Sequence, residues 1–205
     1  MQLHKPDVVD AATAILDNYG IADLTMRRLA RELNVSPGAL YWHFANKQEL
    51  LGAVADRILQ PVRIESTASA WPGRIHQTCV ALRDALLSHT DGAELVSASF
   101  AAGQSQVVGE IVTQLADAAR RAGVMSPDDE LAARTVLYYV LGFTADEQSR
   151  LQWDAAGALT DEQSVLNQDT ARQFAFGLQL LVDGLAVRGA STLSSGRDLP
   201  QHSQS

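Results

Sequence analysis

Between residues 25 and 47 the chain holds side chains suited to gripping a polyanion and reading its edges. Arg27, Arg28 and Lys47 are cations, and Tyr41, Trp42 and His43 form a consecutive run that pairs aromatic faces with hydrogen-bonding tips. Guanidinium and ammonium groups bind phosphate oxygens, whereas a phenol, an indole or an imidazole can reach phosphate or base. Thr25 and Ser36 are hydroxyl residues of the kind that cap helices, and a helix start offers free N–H groups to phosphate. Pro37, Gly38 and Ala39 are small, so a helix opening there can bring its backbone close to base edges, and Met26 completes the candidate set beside Arg27. This chemistry suits duplex DNA recognition, and the same residues also suit a small helical bundle with capped helices and Tyr41 or Trp42 in its core.

Other chemistry is thinly provided. His76 and Cys79, one helical turn apart, could be half of a metal or nucleophile site, but no acid or second thiol stands at helical spacing to complete it. The single cysteine excludes an intramolecular disulfide. With no nucleophile–base pair, phosphate loop or metal-ligand set in view, the sequence predicts no catalytic residue, no metal and no cofactor.

The elements that must position the 25–47 cluster are helices. At 205 residues, 46% hydrophobic and 20% charged, the chain can bury a full core. Apolar residues recur at three- and four-residue intervals with no run of β-branched alternation, so the fold class is all-α. No apolar run approaches the roughly 18 residues a membrane span needs, and no signal pattern opens the chain, which predicts a cytoplasmic protein without a membrane partner. The net charge of −8 is unevenly spread: residues 61–205 carry 10 Lys/Arg against 17 Asp/Glu, whereas residues 1–60 carry 6 against 7. Acidity therefore belongs to the C-terminal portion, and the stretch 21–48 is locally positive.

A first helix opens near Pro6, places Val8, Ala12, Ile15, Leu16 and Tyr19 on one stripe, and stops at Gly20. Thr25 caps a second helix, Asn34 takes the turn, and Ser36-Pro37 starts a third that runs to about Phe44. Asn46 and Glu49 resemble a capping box for a fourth helix reaching about Ile64. Trp71-Pro72 opens a fifth, and further helices are expected over 91–100, 104–122, 127–151 and 169–188, with a polar, disordered tail from 189 to 205. The implied domains are a helix-turn-helix head over 1–46, a connecting helix over 47–64, an effector-binding and dimerisation domain over 65–188, and the tail.

The stretch LTMRRLARELNVSPGALYWHFANKQELL, with Leu-Tyr-Trp-His-Phe at 40–44 and Asn-Lys-x-x-Leu-Leu at 46–51, resembles the DNA-binding signature of the tetracycline-repressor family. The segments 85–93, 140–148 and 174–185 resemble the effector domain of tetracycline-repressor-type members. The resemblance implies a homodimeric repressor of double-stranded operator DNA that a small molecule releases, with Thr25, Arg27, Tyr41, His43 and Lys47 at operator-contacting positions. A regulator without an effector, or one used as an activator, is the alternative.

In that subfamily the drug arrives as a magnesium chelate held by a histidine, whose position falls on Val96 here; the drug-gripping amide falls on Thr78, and a further histidine near Val62. Valine cannot ligate a hard cation. Gln114 does match a drug-contacting glutamine. The resemblance thus implies an apolar pocket built from Val62, Thr78, Leu82 and Val96 with Phe100, Gln114 and Leu115, Phe143 nearby, and a partly polar aromatic or polycyclic effector. Helices 127–151 and 169–188, the second with Phe174, Leu178, Leu181, Val182 and Leu185, should form an isologous four-helix interface, with Gly177 and Gly184 permitting close approach.

Overall fold

The computed structural model describes residues 3–63, 68, 70–160, 162–165 and 168–195. Among these every regular element is helical: α1 (Lys5–Tyr19), α2 (Met26–Glu32), α3 (Pro37–Tyr41), α4 (Lys47–Ile58), a 3₁₀ turn (Gln60–Arg63), α5 (Trp71–Leu87), α6 (Gly92–Ala101), α7 (Gln106–Arg121), α8 (Asp128–Ala155) and α9 (Thr170–Ser195). The helix starts follow the cap chemistry of the sequence. Thr25 Oγ1 accepts from the Arg28 N–H at 3.2 Å, Ser36 Oγ from Ala39 at 3.3 Å, and Asn46 Oδ1 from Glu49 at 2.9 Å. Gly20 at φ 79° ends α1, and Asn34 at φ 52° turns the chain between α2 and α3.

Helices α1 to α3 close on Val8, Leu16, Leu24, Leu29, Leu40 and Phe44, all buried, and α4 runs from this head to pack on α1, α6 and α7. Val54, Ile58, Ile75, Leu82, Val96 and Val108 continue one core into the larger domain, so head and effector domain share a packed seam.

Several expected boundaries move for identifiable reasons. Helix α3 stops at Tyr41 instead of Phe44, because the His43 and Phe44 amides both close on the Leu40 carbonyl and the tightened turn drives Phe44 into the core. The capping box is displaced: Glu49 Oε2 accepts from the Ala45 N–H at 2.8 Å, not from Asn46. Tyr19 leaves the α1 stripe and stands 56% exposed, covered on one face by Arg28. Helix α4 ends at Ile58, before Pro61, and the chain tightens into the 3₁₀ turn; residue 64, where a longer helix was expected to end, lies outside the described residues.

Gly189 does not open a tail. It lies buried inside α9, backed on the Ala122–Gly123 turn where any Cβ would clash, and the helix continues to Ser195. Residues 196–205 are outside the described set.

The α9 residues expected at a dimer interface divide differently. Phe174, Leu178, Val182 and Leu185 are buried within the chain itself, and Gly177 makes room for the Tyr139 ring. What α8 and α9 leave in solvent is another stripe: Leu131, Tyr138, Phe176, Leu180 and Val187. It flanks an open, largely apolar groove of about 330 Å³ lined by Leu131, Ala132, Thr135, Leu180, Leu181 and Gly184.

Candidate functional site

The DNA-reading surface is the outer edge of α2, α3 and the start of α4. Leu40 and Phe44, both buried, anchor α3 from behind and turn the residues between them outward. Trp42 is 89% exposed and Tyr41 52%, an arrangement that costs hydration free energy unless a partner covers it. Pro37 and Gly38 are exposed at the opening of α3, and Ala39 and His43 are half-buried. Thr25, Ser36 and Arg27 lie at the surface, and Lys47 stands at the first position of α4.

Two members of the set are placed differently. Met26 is buried, so its side chain holds α2 to the core. Arg28 is engaged within the head: its Nη1 pairs with Asp23, and its guanidinium lies 3.7 Å from the Tyr19 ring centroid. Arg27 and Lys47 are thus the exposed and half-exposed cations beside α3 that no carboxylate among the described residues holds. Behind Lys47, Lys5 Nζ reaches Glu49 at 3.5 Å and lies 5.1 Å from the Phe44 ring. The Ala45 N–H holds the Glu49 carboxyl below its ordinary range against the opposing effect of burial, with help from the Lys5 ammonium.

The expected effector residues are carried by the 3₁₀ turn (Val62), α5 (Thr78, Leu82), α6 (Val96, Phe100), α7 (Gln114, Leu115) and α8 (Phe143). Val62, Thr78, Leu82, Val96 and Leu115 are buried, whereas Gln114 is half-buried and makes no hydrogen bond to a described residue. The two aromatics separate. Phe143 joins Tyr139 and Phe174, with ring centroids 5.9 and 5.4 Å away, inside the α8–α9 packing. Phe100 faces outward, 6.1 Å from Tyr138 and 5.3 Å from the Arg134 guanidinium, and lines a cleft of about 460 Å³ with Val112, Ala116 and Arg120.

Among the described residues Arg74 Nε, Ser99 Oγ on α6 and Thr144 Oγ1 on α8 are buried without a hydrogen-bond partner, and the two hydroxyls escape sequence reasoning. Each unpaired buried hydroxyl costs roughly 1–3 kcal/mol. Serine and threonine in helices read as solvent-facing, so no sequence signal marks them.

Cys79 is fully buried, and desolvation pushes its thiol up to about 12, which leaves it neutral and unreactive. His76 Nε2 lies 3.1 Å from Gln179 Oε1, a tie between α5 and α9. Among the described residues no group of three or more metal-ligating side chains occurs, and no helix is long and apolar enough to cross a membrane.

Comparison with known proteins meets this geometry at both ends of the chain. Residues 8–54 match the bacterial regulatory proteins of the tetR family, and residues 65–168 match the tetracyclin repressor-like C-terminal domain. The chain belongs to the tetracycline-repressor family. The class A tetracycline repressor of transposon 1721 from Escherichia coli is 32% identical over 206 residues, spanning 91% of this chain and 92% of that protein. Among solved structures, Mycobacterium smegmatis BioQ is 72% identical, with a TM-score of 0.86 over 92% of this chain and all of the other. BioQ crystallised with its natural double-stranded DNA operator is 69% identical, with a TM-score of 0.80 over 90% and 99% of the two chains.

The protein is accordingly a ligand-responsive, DNA-binding transcriptional repressor that works as a homodimer. Helices α8 and α9 leave an apolar stripe exposed, a surface available to a second copy, and a two-fold dimer suits a pseudo-palindromic operator.

Proposed function

We propose that the homodimer reads an operator of the kind bound by BioQ, through α3. Tyr41, Trp42 and His43 contact bases and sugar, Pro37 to Ala39 let the backbone approach the major groove, and Thr25, Ser36, Arg27 and Lys47 hold phosphates. Arg28 shapes the head from within. The observation that carries this reading is Trp42, almost wholly exposed between buried Leu40 and Phe44 at the tip of a helix-turn-helix. High identity to a protein crystallised on operator DNA supports it. In this division residues 1–46 form the head, 47–64 the connecting segment and 65–188 the effector and dimerisation domain. A chromosomal target makes the protein cytoplasmic, and the regulator has no enzymatic role.

The effector occupies the α5–α7 junction. Val62, Leu82, Val96 and Leu115 offer an apolar wall, and Thr78 and Gln114 supply hydrogen bonds. With valine at 96 the site takes an aromatic or polycyclic organic molecule without a chelated hard cation. Ligand shifts α4 and widens the separation of the two heads, so operator affinity falls. A gel shift with the BioQ operator and with DNA upstream of the protein's own coding sequence tests the reading. A salt-sensitive, sequence-selective complex at nanomolar protein is expected; no selectivity over scrambled duplex would overturn it.

A further inference from the structure

Three elements with separate duties meet at Asp91: the end of α1 in the head, the turn between α5 and α6, and α8 from the dimer face. Asp91 adopts the left-handed conformation at φ 54°, which aims its side chain back across the turn. Its two oxygens serve different elements. Oδ2 accepts the Ile21 N–H at 2.9 Å, and Oδ1 accepts from Gln152 Nε2 at 2.6 Å. Gly20, at φ 79°, is required twice over, because a Cβ there would come within 2.6 Å of Asp91 Oδ2.

The surrounding turn is fastened on both sides. Thr90 Oγ1 donates to the Asp17 carbonyl at 2.9 Å, and His89 Nδ1 lies 3.0 Å from Asp17 Oδ1, so α1 is tied again. Buried Gln148 on α8 donates to the Leu86 and His89 carbonyls at 3.0 and 2.8 Å and accepts the Ala93 N–H at 3.0 Å. At the far end of α6 a second contact reaches α4, the helix that leaves the head. Gly52 of α4 sits against the Gln104 backbone, and Asp56 Oδ1 accepts from Ser105 Oγ at 2.6 Å and from the Val107 N–H at 3.1 Å.

Side-chain hydrogen bonds therefore tie the head at the α5–α6 turn and tie α4, which packs along α6 and α7, at the far end of α6, and only the first tie reaches α8 directly. Two neutral donors converging on the two oxygens of one side chain require a carboxylate. Asparagine suits the left-handed backbone equally well but turns an NH₂ toward one of the donors.

We propose that Asp91 is the fixed pivot of the DNA-binding head. Its carboxylate fastens the end of α1 to α8, and so to the two-fold scaffold, and a displacement delivered to α4 at Asp56 turns the head about that point instead of sliding it. Asp91 and Gln152 are positioning residues for operator spacing. The proposal rests on the reading that α4 carries the effector signal, yet its test needs neither effector nor DNA.

The test uses the full-length dimer with a spin label at Glu32→Cys, an exposed site in the head, since buried Cys79 will not label. The inter-label distance distribution should be narrow in the otherwise native protein and about twice as broad in Asp91→Asn and in Gln152→Leu, the latter at an exposed position that tolerates change. The double variant Asp91→Asn/Gln152→Glu should narrow it again, because the new amide at position 91 accepts from Ile21 through its carbonyl and donates through its NH₂ to the new carboxylate at position 152. A general loss of packing or of charge gives no such recovery. Single variants as narrow as the parent, or a double variant as broad as the singles, overturn the pivot; so does the absence of any inter-label distance, which removes the dimer. On the BioQ operator the single variants should bind about tenfold more weakly and the double variant should recover. A parent protein that fails on that duplex while the distances behave as expected removes only the operator assignment.

Discussion

Two of the regions where this molecule holds large apolar side chains in solvent ask for different partners. At the tip of the head Tyr41 and Trp42 stand beside Arg27 and Lys47, above a helix opening of small residues. On the far side Leu131, Tyr138, Phe176, Leu180 and Val187 follow two long helices, flank an apolar groove, and have their neighbouring charges neutralised in pairs such as Arg134–Glu130 and Arg188–Asp128. Exposure alone does not name a partner. Unpaired cations around a narrow aromatic tip suit a polyanionic groove, whereas a long flat stripe rimmed by closed ion pairs suits a copy of itself.

Separating the two faces by substitution should give the largest effect at the dimer stripe. Leu180→Asp combined with Leu131→Asp places carboxylates in the apolar interface, and sedimentation should report monomers. Operator affinity should then fall by roughly 100-fold or more, since a monomer holds one half-site. Trp42→Ala should do the reverse, leaving the dimer intact while weakening the operator complex about tenfold. A change in oligomeric state there would erase the distinction.

Within the head a finer contrast is expected. Arg27→Ala should weaken DNA binding and flatten its salt dependence, whereas Arg28→Ala should leave the salt dependence alone and lower thermal stability by no more than about 1 kcal/mol, because its partners are Asp23 and the Tyr19 ring.

The smallest effect concerns acid stability on the effector side. Arg120 beside Asp129 at 2.6 Å holds that carboxyl below its ordinary range. A depressed folded value means the pair stabilises the fold above the unfolded carboxyl value, near about 4, and the contribution is lost as pH falls below it. Denaturant midpoints measured between neutral and acid pH should therefore fall less steeply in Asp129→Asn than in the native chain.

How far the sequence could be read depended on how local the determining physics was. The head was legible almost residue by residue, because caps, a left-handed asparagine and a glycine stop act within a few positions of themselves. Arg28 reads in the sequence as a DNA-facing cation, and its pairing with Asp23 and Tyr19 depends on how α1 meets α2, which local sequence does not reveal. In α9 the period was right and the face was wrong: both stripes are apolar, and only packing decides that Phe174 turns inward while Phe176 turns out. Gly189 looked like a helix stop because a glycine needed for backbone contact with Ala122 reads the same as one needed for a turn. Ser99 and Thr144 were invisible, as burial of a hydroxyl is a property of the assembled core.

The central claim, that this head grips duplex DNA as a symmetric pair through its exposed cations, is tested most directly by the salt dependence of operator binding. Affinity measured from low to moderate salt for the native dimer and for Lys47→Ala should give straight lines of log affinity against log salt. The variant slope should be shallower by about 2, close to one phosphate released by each protomer, with the dimer unchanged. Parallel lines would contradict the account.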